Sequence, residues 1–241
     1  MRATVWRLTW TLAFRRRRLL IWNLLVPVLL LVPVVTSAAA AAHRAVVVAV
    51  FVTFFGAYGS CIPLIRDGMT GWAEKVWLTG YGGRRWLIER TLASAAIDWV
   101  QLLPANFLLA ALIGTSASET LALLIATALA LLFANLLGVF VATLVRALGE
   151  AALGCAVVSL FALHLSGVFR TPVPGSWWAA VESGSPLRPL HETWVASLSD
   201  GPGLVAADGV LPALTLASLL LLVAAVGNGL ALRLVATGSA D

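Results

Sequence analysis

The polar side chains set within apolar runs are the residues whose types could do chemistry. Asp98, in LASAAIDWVQLL, lies eleven residues past Leu87, where a long apolar run begins. At about 1.5 Å per helical residue that is about 16 Å into a span, near half the hydrocarbon thickness of a bilayer. It is the one acid placed at mid-depth, and ionisable groups there are costly and usually functional. Asp98 could meet a substrate, pair with Arg90 or another span, or carry protons; a third helix that starts late would instead leave it nearer the surface. Asn106, Asn135, His164 and Asn228 are groups of the kind that hold helices together by hydrogen bonds. Gly227 and Gly229 around Asn228 permit close helix approach. Asp98, Asn106 and Asn135 are the candidate translocation-path residues.

Nothing else in the chain has the spacing of a catalytic centre. His43, His164 and His191 are scattered, no H-E-x-x-H or G-x-S-x-G occurs, and there is no pair of intramembrane aspartates. An intramembrane hydrolase or lipid-modifying enzyme is therefore a weak alternative. No G-x-x-x-x-G-K-[ST] phosphate loop is present, so ATP hydrolysis by that route is excluded for this chain. Cys61 and Cys155 lie far apart inside apolar runs, match no metal or disulfide spacing, and are expected as packing residues. No metal ligand and no catalytic residue is assigned.

The elements that must position these groups follow from composition. Hydrophobic residues make up 61% of the 241 and charged ones 11%, against about 25% charged in ordinary soluble domains. Such a chain belongs in a bilayer as a single all-α integral membrane domain, with no room for a large soluble one. Six apolar segments are expected as spans, at about 19 to 40, 45 to 65, 87 to 113, 120 to 145, 150 to 169 and 210 to 235. The first, preceded by FRRRR, is apolar for too long to be a signal peptide and has no convincing cleavage site in Ala38 to Ala42. Ahead of it, residues 3 to 17 place Val5, Leu8, Thr9 and Leu12 at helical spacing, with Trp6 and Trp10 nearby. That segment reads as a helix lying in the headgroup layer, or as a plain topology anchor.

Six spans put both termini on one side. That side collects Arg2, Arg7, Arg15 to Arg18, Arg66, Lys75, Arg84, Arg85, Arg90, Arg146 and Arg233, while the other receives only Arg44, Arg170 and Arg188. By the positive-inside rule the crowded side is cytoplasmic, in a cell-membrane protein. Topology thus accounts for the net charge of +5, and with no recognition fold around these arginines nucleic acid is not expected as a partner.

Between spans two and three, IRDGMTGWAEKVWLTGYGGRRWLIER carries eight charges. The expected loop, 66 to 86, includes a short amphipathic helix with Met69, Trp72 and Val76 near one face and Glu74 and Lys75 elsewhere. Thr79, Gly80, Gly82 and Gly83 stop it. Such a helix suits a groove on a soluble partner, or is an interfacial connector. On the opposite side, residues 170 to 200 are too apolar for a free loop. Trp177 to Val181 and Leu190 to Leu198 suggest two short helices dipping into the outer leaflet, separated by Pro172, Pro174, Pro186 and Pro189. An interfacial aromatic belt is the alternative.

RDGMTGWAEKVWLTGYGGRRWLIER, with its charged cluster, short helix, turn and basic start to the next span, resembles the coupling loop of ABC-2 type permeases, the membrane subunits of ATP-binding-cassette exporters. SGVFRTPVPGSWWAAVESGSPLRPLHETW is similar to that family's segment between spans five and six, so the resemblance covers nearly the whole chain. One departure is the turn after the short helix, which lacks the family's common proline and leaves the register of Arg84 and Arg85 open by a residue or two.

The resemblance implies that Arg66, Asp67, Trp72, Glu74, Lys75, Arg84 and Arg85 contact an ATP-binding subunit. It implies that Phe169, Pro172, Trp177, Trp178, Pro186 and Leu187 close the outer end of the path. It further implies two ATP-binding cassette subunits holding ATP and Mg, a second permease chain, identical or homologous, and no cofactor in this chain. Export of a hydrophobic small molecule, drug, natural product or peptide is the expected activity. A lipid-linked glycan or lipid exporter, or a non-transporting anchoring or assembly subunit, are the alternatives.

Overall fold

The computed structural model describes residues 4–170 and 175–199. The expected sixth span at 210 to 235, Asn228 with its flanking glycines, and Pro172 and Pro174 lie outside them. Among the described residues the chain forms nine α-helices: α1 (Val5–Arg15), α2 (Arg17–Val35), α3 (Ala41–Met69), α4 (Trp72–Leu78), α5 (Gly83–Ile113), α6 (Ala117–Leu144), α7 (Leu148–Leu165), α8 (Trp177–Ser183) and α9 (Leu187–Ser197). Helices α2, α3, α5, α6 and α7 are long and apolar enough to cross a membrane, which gives the chain the character of an all-helical membrane protein.

Helix α2 is apolar over most of its surface and leaves Leu19, Ile21, Trp22, Leu29 and Leu30 exposed, as suits a helix facing lipid. Its end differs from the expected one. The sequence carries the first span to about 40, whereas α2 stops at Val35 and α3 begins at Ala41. The Thr36 hydroxyl donates to Val32 O at 3.0 Å and the Ser37 hydroxyl to Val34 O at 2.6 Å, and these local bonds satisfy the final carbonyls of α2. On the far side of the turn, Arg44 Nε donates back to Ala39 O at 2.8 Å.

A larger difference lies between α3 and α5. The expected loop, 66 to 86, is mostly helix: α3 continues to Met69 and α5 starts at Gly83. Arg66 and Asp67 thus ride the last turns of α3, and Arg84 and Arg85 the first turn of α5. An ion pair accounts for the extension, since Arg90 Nε lies 3.0 Å from Asp67 Oδ2 and joins the two helices beyond their apolar parts. The connection is reduced to α4 and two glycine turns, with Gly71 at φ 62° and Gly80 at φ 80°, a conformation that costs glycine little.

The most extensive interface is α3 on α6, and small residues make it possible. Gly56 lies against Ala134, where an added Cβ would come within 2.7 Å of the alanine's own. Gly138 lies so close to α3 that a Cβ there would overlap the Ala57 carbonyl oxygen. Such close approach is the usual basis of helix association in membranes. Helix α7 joins through the Tyr58 hydroxyl, which donates to Ala152 O at 2.7 Å. Cys61 and Cys155, distant in sequence, share one buried cluster with Ala57, Val141 and Ala151, and both are free thiols. Helix α9 folds back over α3 and α6, burying Leu187, Leu190, Trp194 and Leu198 in the main core.

Candidate functional site

A cavity of about 600 Å³ lies among α1, α2, α3 and α5. One wall is the face of α5 that carries Arg90, Ser94, Asp98 and Gln101, whose spacing of four, four and three residues keeps them on one side of a helix. The wall opposite is α3, with Phe51, Phe55, Tyr58 and Ile62 in the same register. Leu12, Leu19 and Leu20 close the third side, and Asn23 Nδ2 donates to Gln101 Oε1 at 3.1 Å. Arg16, Arg66 and Asp67 stand at the end that carries α4. A polar stripe therefore faces an aromatic one across a space of drug-like size.

Asp98 is fifteen residues from either end of α5, or about 22 Å from each, and only 7% exposed. It accepts a hydrogen bond from Asn135 Nδ2 at 3.0 Å. The same amide nitrogen donates to Leu131 O at 2.9 Å, and the Asn135 carbonyl accepts the Ser60 hydroxyl. Helices α3, α5 and α6 thus meet at one polar junction. The close fit depends on Gly59, because a Cβ there would overlap the Asp98 carboxylate. Among the described residues no cation pairs with Asp98. Pairing with Arg90, one of the roles open to Asp98 in the sequence, does not occur: Arg90 is held by Asp67 and donates from Nη1 to Thr9 Oγ1 at 3.3 Å. Asn106 stands apart from this junction. It accepts from Thr127 at 3.5 Å between α5 and α6, its amide nitrogen has no partner among the described residues, and it does not line the cavity.

At the basic end, α4 is fixed from below. Trp72 and Val76 pack on a cluster of Val5, Leu64, Trp86 and Leu87, with the Trp72 and Trp86 rings 6.4 Å apart. Glu74 and Lys75 are exposed, and so are the apolar Met69 and Leu78, at 66% and 80%. Met69 does not share the inner face with Trp72 and Val76 as the sequence suggests, because it ends α3 and Gly71 turns the chain before α4 begins. Arg84 is exposed. Arg85 has work within the chain: its Nε lies 2.9 Å from Glu89 Oε1 and its guanidinium sits over Tyr81, 5.0 Å from the ring centre. Glu89 also accepts from the Trp6 backbone amide at 3.5 Å, which ties α1 to α5.

The opposite end holds the aromatic segment. The Ser176 side chain caps α8 by accepting from Ala179 N at 3.3 Å. The Trp177 and Trp178 rings stack 3.7 Å apart, and the Arg170 guanidinium lies 4.5 Å from the Trp178 ring centre. Arg170 Nη2 is 3.1 Å from Glu182 Oε1, with Glu182 1% exposed. Phe169 and Trp177 are exposed, Pro186 caps α9 and Leu187 is buried. Among the described members of the expected outer set, Trp178 is held by the Arg170 and Glu182 pair and Leu187 belongs to the core.

The sequence pointed to Asp98 and Asn135 but not to Gly59, Tyr58, Gln101 or the pair Arg170 and Glu182. The repeat of polar residues from Arg90 to Gln101 was a usable signal. That it faces the aromatics of α3 depends on how the two helices rotate against each other. Among the described residues no cluster of His, Cys, Asp or Glu could hold a metal ion. Comparison of the chain with family models, with characterised proteins and with solved structures finds no match.

Proposed function

We propose that this chain is the permease subunit of an ATP-binding-cassette exporter of the ABC-2 type, moving a hydrophobic small molecule, drug, natural product or peptide outward. The observation that carries the reading is the mounting of α4. Its inner face packs through Trp72 and Val76 on a cluster drawn from α1, α3 and α5, while Glu74, Lys75 and Leu78 are left exposed beside Met69. Exposed apolar groups rimmed by charge mark interaction sites. A soluble partner that pushed on this helix would push on α3, its main neighbour, and through Trp72 and Trp86 on α5, the two helices that wall the cavity.

In this reading the basic end is cytoplasmic, as are both termini, and the protein lies in the cell membrane. Two ATP-binding cassette subunits hold ATP and Mg, because this chain has no phosphate loop. A second permease chain, identical or homologous, completes the path. The exposed apolar residues of α7, among them Leu153, Val157, Leu160 and Phe161, suit either that chain or lipid.

Charge reversal at the exposed positions tests the reading. Glu74→Lys or Arg84→Glu, in a chain that still inserts and still recruits its ATPase, is expected to lower substrate efflux at least tenfold while ATP hydrolysis continues. Normal efflux in both variants would refute the coupling role of α4. Arg85→Glu is a poorer probe, because Arg85 is bonded to Glu89 within the chain.

A further inference from the structure

Three places in the described chain hold chemistry that the transport reading leaves unused: the buried thiols Cys61 and Cys155, the pair Arg170 and Glu182, and the cavity around Asp98. The thiols lie in one apolar cluster with Ala57, Val141 and Ala151, and Arg170 and Glu182 neutralise each other as an ion pair. Asp98 does neither.

An isolated carboxylate in an apolar interior is costly and is normally neutralised by a cation or a proton. Among the described residues Asp98 has one amide donor, Asn135 Nδ2 at 3.0 Å, and no counter-charge. A proton would satisfy it but would leave two features without a purpose: the space beside it, about 600 Å³, and the ladder of Phe51, Phe55 and Tyr58 across that space. Volumes of about 300–1,000 Å³ suit small organic ligands, and aromatic faces attract cations, above all where water is excluded.

The geometry points to a binding site for an amphipathic organic cation, with its charge at Asp98 and its apolar body against the α3 aromatics. This deepens the transport reading by naming the chemical class of the cargo, and it rests on that reading for its purpose. The charged groups around the cavity permit the assignment. Arg90 is neutralised by Asp67 at 3.0 Å. Arg66 is seven residues from Gly59 along α3, or about 10 Å from the level of Asp98. It stands with Arg16 at the mouth, where lipid phosphates would screen both. Gln101 and Ser94, the other polar groups of the α5 wall, are neutral. Gly59 contributes by letting the carboxylate seat against α3 beside the cavity, a position that any larger residue would displace.

The test uses the full-length chain purified in lipid nanodiscs without an ATPase. Ethidium serves as the cationic probe, N-phenyl-1-naphthylamine as a neutral one and 8-anilinonaphthalene-1-sulfonate as an anionic one, each titrated by fluorescence. Saturable ethidium binding is expected, with Kd raised at least tenfold by Asp98→Asn and the neutral probe unaffected. Phe55→Leu is expected to weaken ethidium several-fold. Should Asp98→Asn fail to fold, Gly59→Ala and Phe55→Leu carry the same expectation. Absence of saturable ethidium binding, equal binding by the folded Asp98→Asn chain, or preferred binding of the anionic probe with loss on Arg66→Ala would each overturn the assignment. Because no ATPase is present, such a failure removes the ligand class and leaves the transport reading to its own test.

Discussion

Replacing Gly138 by alanine should separate the two central helices. In the structure a Cβ at Gly138 would lie 3.1 Å from Ala57 Cα, 3.0 Å from Ala57 C, and inside the contact distance of the Ala57 oxygen, whereas ordinary contacts are 3.4–4 Å. All three atoms are backbone, so no rotamer change relieves the overlap, and α3 and α6 must part by on the order of 1 Å in a close-packed interior. Overpacking of this kind costs about 1–3 kcal/mol. At about 2–4 °C per kcal/mol for chains of this length, that predicts a fall in Tm of roughly 2–12 °C. Gly149→Ala is the matched control, because a Cβ there meets nothing within 4 Å and alanine favours a helix by up to about 1 kcal/mol over glycine. Scanning tryptophan fluorescence of the detergent-solubilised chain reads both. A Gly138→Ala chain that melts with the wild type, or with Gly149→Ala, would refute the account of α3 and α6 as the tightly packed centre.

Two further outcomes are expected at the far end. Burial holds the His191 imidazole below its usual pKa, so the unfolded chain takes up the proton first. The stability that α9 draws from neutral His191 is full above the ordinary histidine value of about 6.5, and is lost as pH falls from there toward the lower folded value. His191→Gln should flatten that part of the melting profile, and an unchanged slope would exclude His191 as its source. Glu182→Gln removes the charge that faces Arg170 and leaves a buried site partly unsatisfied, at about 1–3 kcal/mol. Hydrogen exchange in α8 should then quicken while α3 and α6 hold their protection; unchanged exchange in α8 would mean that the ion pair does not fasten it.

Much of the helical order was legible in the sequence, because a bilayer asks for long apolar runs. Segments at 87 to 113, 120 to 145 and 150 to 169 correspond to α5, α6 and α7, with Gly114 at φ 74° and the capping box of Ser116 and Glu119 marking the turn between the first two. Helix ends set by polar pairs were not legible. The apolar pattern stops at Ile65, but α3 runs on to Met69 because Asp67 finds Arg90 across the turn. For the candidate site, the apolar run around Asp98 marked it as lying inside a long helix, and it stands fifteen residues from either end of α5. Its partners Asn135, Ser60 and Gly59 come from two other helices, and no local pattern predicts which faces will meet. Cys61 and Cys155 show the same limit, being remote in sequence yet in one cluster.

The claim that matters most is that this chain works through an ATP-hydrolysing partner docked at α4. It is tested most directly by gentle affinity purification of the chain from its native membrane, with mass spectrometry and an ATPase assay on what is recovered. A soluble subunit bearing the phosphate loop, recovered in stoichiometric amount with ATPase activity, is the predicted result. Recovery of the intact chain with no ATPase would contradict it.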